Sequence, residues 1–204
     1  MARLEFFFDC SSPWTYLAFH RIEDICRETK AELDWRPILV GGVFNAVNAS
    51  VYEQRAKPVP AKARYYAKDL RDWARFYGLR IGQPPVFPVN SVKAMRGAFF
   101  ALERGVLPRY ARAVFEAYWG DLLDISQDEV LRPIAAWVGL PTDAFFERIA
   151  APEYKARLRE NTEELIVRGG FGSPTMFVNG SDMYFGNDRL ELVRQALSSP
   201  PAPG

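Results

Sequence analysis

Phe6-Phe7-Phe8-Asp9-Cys10-Ser11-Ser12-Pro13-Trp14-Thr15-Tyr16 is the stretch on which the reading of the chain turns. Consecutive aromatic residues favour a strand, and the apolar run stops at Asp9. Pro13 suits the first position of a helix, because the N–H it lacks would have no partner there. Ser12 then falls at the N-cap, its hydroxyl beside unpaired backbone N–H groups and the positive end of the helix dipole. The stretch therefore reads as a strand, a tight turn and a helix start. Negative charge is stabilised at such a turn, and a thiolate is one such anion. A serine that only caps its helix explains the same residues, so both readings stand here.

Downstream, Trp14, Leu17, Ala18, Ile22 and Ile25 keep helical spacing to about Lys30. Leu33 and Trp35 alternate with polar neighbours before Pro37, which reads as a second strand. The helical crossover implies a parallel pair. From Gly41 to Ser50 turn residues occur without a period, which predicts a loop or short turns. From Lys62 to about Val167 only helices are legible, around an extended break at Gln83–Pro88. Gly78, Gly105, Gly120 and Gly139 read as helix stops. Ser126 with Glu129 reads as a capping box, and two more helices follow at Asp143–Ile149 and Glu153–Val167.

Strand signals return after Gly169-Gly170. Thr175–Val178 and Met183–Phe185, joined through Asn179-Gly180, read as a hairpin. Asp188 with Glu191 reads as a capping-box variant opening a last helix, Arg189–Leu197. Ser198–Gly204, with three prolines, reads as a frayed tail. The order is β-α-β, a helical block, then β-β-α. This is an α/β thioredoxin-like arrangement, with 1–40 plus 168–200 as one domain and 41–167 as a helical insertion.

Composition narrows the function. Apolar residues make up 49% and charged ones 25% of 204, which supplies a core. A formal net charge of +1 argues against non-specific nucleic-acid binding. No stretch is long and apolar enough to span a bilayer, and Met1-Ala2-Arg3 leads straight into a strand-like run, so the expected location is the cytoplasm. Cys10 and Cys26 stand roughly 20 Å apart by helical rise, outside disulfide reach, and neither belongs to a Cys-x-x-Cys pair. Dithiol redox chemistry and a zinc site are both unsupported. The one histidine, His20, lies roughly 12 Å along the helix from Ser12. No Ser-His-Asp constellation exists, and Ser12 is better read as a hydrogen-bond donor to a thiolate than as a nucleophile.

The chain resembles the DsbA-like thioredoxin superfamily, within it the branch of 2-hydroxychromene-2-carboxylate isomerases and kappa-class glutathione transferases. Five motifs carry the likeness in order: Asp9-x-x-Ser12-Pro13-x-x-Tyr16, Gly41-Gly42-Val43-Phe44 with Asn48, Phe87-Pro88-Val89-Asn90, Gly172-Ser173-Pro174-Thr175 and Phe185-Gly186-Asn187-Asp188-Arg189. Where dithiol relatives have Cys-Pro-x-Cys-Tyr, this chain has Ser12-Pro13-Trp14-Thr15-Tyr16, so both redox positions are hydroxyl residues. Ser173 stands where the family usually has Val or Ile before a cis-proline.

The resemblance implies glutathione as cofactor, a planar aromatic acid as substrate, and a homodimer. It implies that Ser12 serves the sulfur and that Ser173 and Pro174 meet the tripeptide backbone. Asp188 would accept the γ-glutamyl ammonium, with Phe185, Gly186 and Asn187 beside it. A plain N-cap is the other reading of Asp188. Asn48 is implied for glutathione or substrate, Asn45 for substrate or a plain turn. Phe87, with Phe44 and Trp14, is implied for an apolar slot, and core packing is the alternative. The reaction implied is isomerisation of a 2-hydroxychromene-2-carboxylate-type keto acid by reversible thiolate addition. A transferase that consumes glutathione and a redox-inert binding protein are the rivals.

Overall fold

Two strands, β1 (Arg3–Phe8) and β2 (Glu32–Pro37), run parallel with Phe6 opposite Trp35, and α1 (Pro13–Thr29) connects them. The computed structural model describes residues 1–199. The second half of the sheet comes from β3 (Thr175–Val178) and β4 (Asp182–Phe185). β3 pairs antiparallel with β1 and with β4, giving the order β2-β1-β3-β4. Asn179 (φ 50°) and Gly180 (φ 86°) take the left-handed backbone that the hairpin turn needs.

The side-chain period of two in β1 divides the core. Leu4, Phe6 and Phe8 pack toward α1 and the helical block, with Phe19 and Trp35 against them. Phe7 points the other way and joins Phe177, Ile38, Val43 and Leu165. Arg168 closes that second layer, pairing with the buried Glu5 at 2.7 Å and lying 3.8 Å over the Phe177 ring.

Between β2 and β3 stand α2 (Val40–Val47), α3 (Ser50–Ala56), α4 (Pro60–Phe76), α5 (Val92–Glu103) and α6 (Leu107–Phe115). A π-turn at Glu116–Gly120 follows, then α7 (Asp128–Trp137), α8 (Thr142–Ala150) and α9 (Pro152–Val167). The chain ends its described part with α10 (Leu190–Ser198), which packs on α1. Among the described residues no helix is long and apolar enough to cross a membrane.

Four expectations need correction. The stretch expected as a loop at 41–50 holds α2 and the start of α3. Eight residues are too few to show a period, and α2 is supported from outside, by the Asp9 carboxylate on the Val40 N–H. Ser126 caps nothing: α7 begins at Asp128, and Asp124 holds the Ser126 N–H instead. Asp188 is no N-cap either. It lies in a 3-10 turn before α10 and its carboxylate pairs with Arg189. Ser198, assigned to a frayed tail, ends α10, and the rest of that tail from 200 on lies outside the described residues.

Candidate active site

The turn between β1 and α1 is built as its sequence indicates. Ser12 is the N-cap, and its Oγ accepts the Thr15 N–H at 3.2 Å. The same hydroxyl donates to the Ser173 carbonyl at 2.9 Å. The Ser173–Pro174 bond is cis. Ser173 Oγ accepts the Asp9 N–H at 3.1 Å and shares a hydrogen bond of 2.7 Å with Thr15 Oγ1. Both hydroxyl residues that replace a dithiol pair therefore touch Ser173. A valine in place of Ser173 would leave the buried Thr15 hydroxyl without that partner, which gives the departure from Val or Ile a physical reason.

Asp9 holds this turn to the rest of the fold. Its carboxylate is fully buried and accepts from the N–H of Ser11 (2.9 Å), the N–H of Val40 (2.8 Å) and the hydroxyl of Ser91 (3.1 Å). Burial pushes its carboxyl above the ordinary range, against the pull of those donors. Three segments far apart in sequence thus end on one side chain: the turn, the start of α2 and the start of α5.

Cys10, next to this turn, is packed into the core. It is buried, its N–H faces Met95 Sδ and its carbonyl accepts from Trp119 Nε1 at 3.0 Å. Burial, with Asp9 adding to it, pushes its thiol well above the ordinary value. Cys26 is buried as well, and burial raises its thiol to about 12. Both are free.

A cavity of about 1,090 Å³ opens in front of Ser12. Ser12, Ser173, Asn45, Asn48, Phe87 and Phe185 all border it. Trp14 and Phe44 line it too, with Tyr52, Tyr66 and Phe171 completing an aromatic wall. Trp14 is held by Tyr66, edge to face at 5.1 Å and through an indole-to-phenol hydrogen bond. Asn48 Nδ2 donates to the Phe171 carbonyl at 3.1 Å, fastening the α2–α3 corner beside Gly172. Asn45 Oδ1 accepts from Tyr52 at 2.8 Å. A side chain on Gly172 would run into the Phe185 ring at 2.8 Å, so glycine there lets the wall close.

The remaining candidates lie elsewhere. Pro174 is buried behind the wall, and its carbonyl accepts the Gly186 N–H at 3.1 Å. Asn187 and Asp188 border a smaller cavity of about 490 Å³, beside His20, Trp73 and Tyr77. Asn187 is buried there with its Nδ2 unpartnered. His20 does not border the large cavity. Burial, with Arg112 and Arg21 nearby, lowers its pKa.

The sequence reading did not find the charge of the large cavity. Among the described residues Arg55, Lys57 and Lys62 border it, and no aspartate or glutamate does. The only advance signal was a run from Arg55 to Arg64 with four basic residues and no acidic one.

Comparison with known proteins places this geometry. The family model described as the DsbA-like thioredoxin domain matches residues 3–198. The chain belongs to that family. It is 30% identical to the 2-hydroxychromene-2-carboxylate isomerase of Pseudomonas sp. (strain C18), over 98% of this chain and 92% of that protein. It is 28% identical to the human glutathione S-transferase kappa 1, over 95% of this chain and 90% of that protein. A solved 2-hydroxychromene-2-carboxylate isomerase superposes with a TM-score of 0.82 at 27% identity, covering 96% of this chain and 94% of the other. The chain is an enzyme of the branch these isomerases and kappa-class transferases share.

Proposed function

We propose that the protein is a glutathione-dependent isomerase of 2-hydroxychromene-2-carboxylate-type aromatic keto acids, acting in aromatic catabolism. One observation carries the reading: a helix N-cap hydroxyl, in a turn without redox cysteines, faces a large aromatic-walled cavity lined by three cations and no acid. The cavity, at about 1,090 Å³, lies just above the usual range of roughly 300–1,000 Å³ for small-molecule sites, which leaves room for a tripeptide and a planar acid together. Both ligands are anionic, and an excess of positive charge in a concave wall favours them.

The residues present fit glutathione. Bound there, it supplies a thiolate that adds reversibly to a conjugated double bond, allows rotation about it and leaves unchanged. Ser12 serves that sulfur by donating a hydrogen bond, with the α1 N-terminus adding to the preference for the anion. The Ser173 backbone receives the cysteinyl segment as an added strand, while the burial of Ser12 and Thr15 keeps water from competing. In this reading the tripeptide extends past Phe185, which borders the large cavity, into the neighbouring smaller one, where Asp188 takes the γ-glutamyl ammonium and the unpartnered Asn187 amide offers a donor to the adjoining carboxylate. Trp14, Phe44 and Phe87 hold the aromatic ring.

Glutathione consumption decides between this reading and its nearest rival. A conjugating kappa-type transferase would deplete the thiol, as the kinship to the kappa enzymes allows. Turnover of a hydroxychromene-type acid is followed in the ultraviolet while free thiol is titrated in parallel. An isomerase leaves the thiol constant through many turnovers, and stoichiometric loss refutes the isomerase. Calorimetry tests the tripeptide site: Asp188→Ala is expected to weaken glutathione by more than about tenfold, the scale of one charge-assisted contact. No binding to the wild type would leave a redox-inert binding protein. The homodimer and the cytoplasmic setting belong to the same reading, and light scattering measures the first.

A further inference from the structure

Arg55 stands apart from the other cations of the large cavity. It lies on α3, a helix without one buried residue, so packing does not account for its placement. Its guanidinium carbon sits 5.4 Å from the centre of the Phe44 ring and 5.1 Å from that of Phe87. Both rings border the cavity. The two cation–π contacts orient a side chain that is otherwise long and flexible.

What remains open is the edge of the guanidinium. Arg55 makes no side-chain hydrogen bond and no ion pair among the described residues, although twenty ion pairs form elsewhere among them. Its five N–H donors therefore have no protein acceptor. A planar fork held against two aromatic rings, at a cavity that no acidic residue borders among the described residues, matches a carboxylate bidentately. A lysine is a point charge on a mobile stem and has no such directional fit.

We propose that Arg55 is the specificity-determining residue for the second ligand, binding the carboxylate of a planar aromatic acid in the slot formed with Phe44 and Phe87. The proposal rests on the large cavity being the substrate site. The glycyl carboxylate of glutathione carries the same chemistry, and the experiment must separate the two sources.

Calorimetric titration with 2-hydroxycinnamate and with its uncharged carboxamide does so, in the presence and absence of reduced glutathione. The wild type should prefer the acid by about tenfold or more, the scale of one charge-assisted bidentate contact. Arg55→Met should abolish that preference and leave both the amide and glutathione bound as before. Arg55→Lys should keep part of it, while Lys57→Met and Lys62→Met should keep most. Arg55 is exposed, so the variants should unfold at the temperature of the wild type.

Retention of the acid preference in Arg55→Met overturns the proposal. So does a tenfold loss of glutathione affinity in that variant, which would assign Arg55 to the tripeptide. Equal losses across the three cation variants would show a diffuse field instead of a specific contact, and overturn it too. The assay needs no turnover. An Arg55-dependent acid preference in a protein that isomerises nothing would sustain this proposal while removing the isomerase reading.

Discussion

Replacing Ser12 by alanine removes two interactions of one hydroxyl, and their sizes differ. The first is the N-cap bond from Thr15 N–H. Losing such a cap costs about 1 kcal/mol, which for a domain of this length lowers the unfolding midpoint by about 2–4 °C. The second is the donated hydrogen bond. In the structure it goes to the Ser173 carbonyl at 2.9 Å, so serving a bound sulfur means giving up or sharing a bond already made. A hydrogen bond to an ionised group is worth about 1.5–3 kcal/mol, and the exchange leaves the lower end of that range. At 1.36 kcal/mol per unit, the thiol of bound glutathione should rise by about one pKa unit in Ser12→Ala. The dipole of α1 remains, so the thiol stays below the free value of about 8.5.

The thiolate's ultraviolet absorbance, followed against pH for wild type and variant saturated with glutathione, reads this shift. Turnover at pH 6.5 should fall by about tenfold and recover as the pH is raised through the new pKa. Ser12→Thr keeps the hydroxyl and should restore both. Superimposable titration curves with unaltered turnover would refute the reasoning and leave Ser12 an ordinary cap. Normal chemistry combined with weak glutathione binding would instead make Ser12 a positioning residue.

Other consequences of the geometry are measurable. Ser173→Val leaves the Asp9 N–H and the Thr15 hydroxyl without a partner and should destabilise by about 1–3 kcal/mol in urea unfolding. Combined with Thr15→Val the loss should be less than additive, and strict additivity would deny the coupling. His20 has a folded pKa below its unfolded value of about 6.5. Its neutral form therefore contributes stability above that value, and the contribution is lost as the pH falls toward the folded pKa. His20→Gln should lose less stability than the wild type between about pH 7 and pH 5; parallel profiles would contradict this. Cys10 and Cys26 should resist a thiol-specific disulfide reagent in the native protein and react only on unfolding, with no insulin reductase activity. Activity abolished by Cys10→Ser would overturn the assignment of Cys10 to the core.

Local chemistry made much of the fold legible. Phe6–Phe8 followed by Ser12-Pro13 carries its own strand, turn and cap, and Asn179-Gly180 carries its own hairpin. Each is set by residues adjacent in sequence. The misread elements depend on distant partners. α2 begins where Asp9 supplies the carboxylate, and α7 starts after an Asp124 turn that displaces Ser126 from its cap. The site divides the same way. Ser12 was visible because a cap is local, and Ser173 because its motif is. The charge of the cavity was not visible, because Arg55 acquires meaning only when Phe44 and Phe87 close around it. The sequence reading also grouped Asn187 and Asp188 with Ser12, whereas in the fold they line a neighbouring cavity beside α4.

The pairing of β1 on both edges bears on how the protein is made. One edge meets β2 soon after it is synthesised, while the other waits for β3, with Phe7 opposite Thr175. At about 5–20 residues per second the ribosome leaves that second edge open for on the order of 10–30 s. Throughout, a row of aromatic residues and unpaired backbone groups is available to any other nascent chain. The Ser12 hydroxyl lacks its Ser173 acceptor for the same interval. Sheet closure and completion of the Ser12 turn are therefore one late event in biosynthesis. A chain terminated before Pro174 should yield no fraction of the activity, only an aggregating fragment that chaperones must hold.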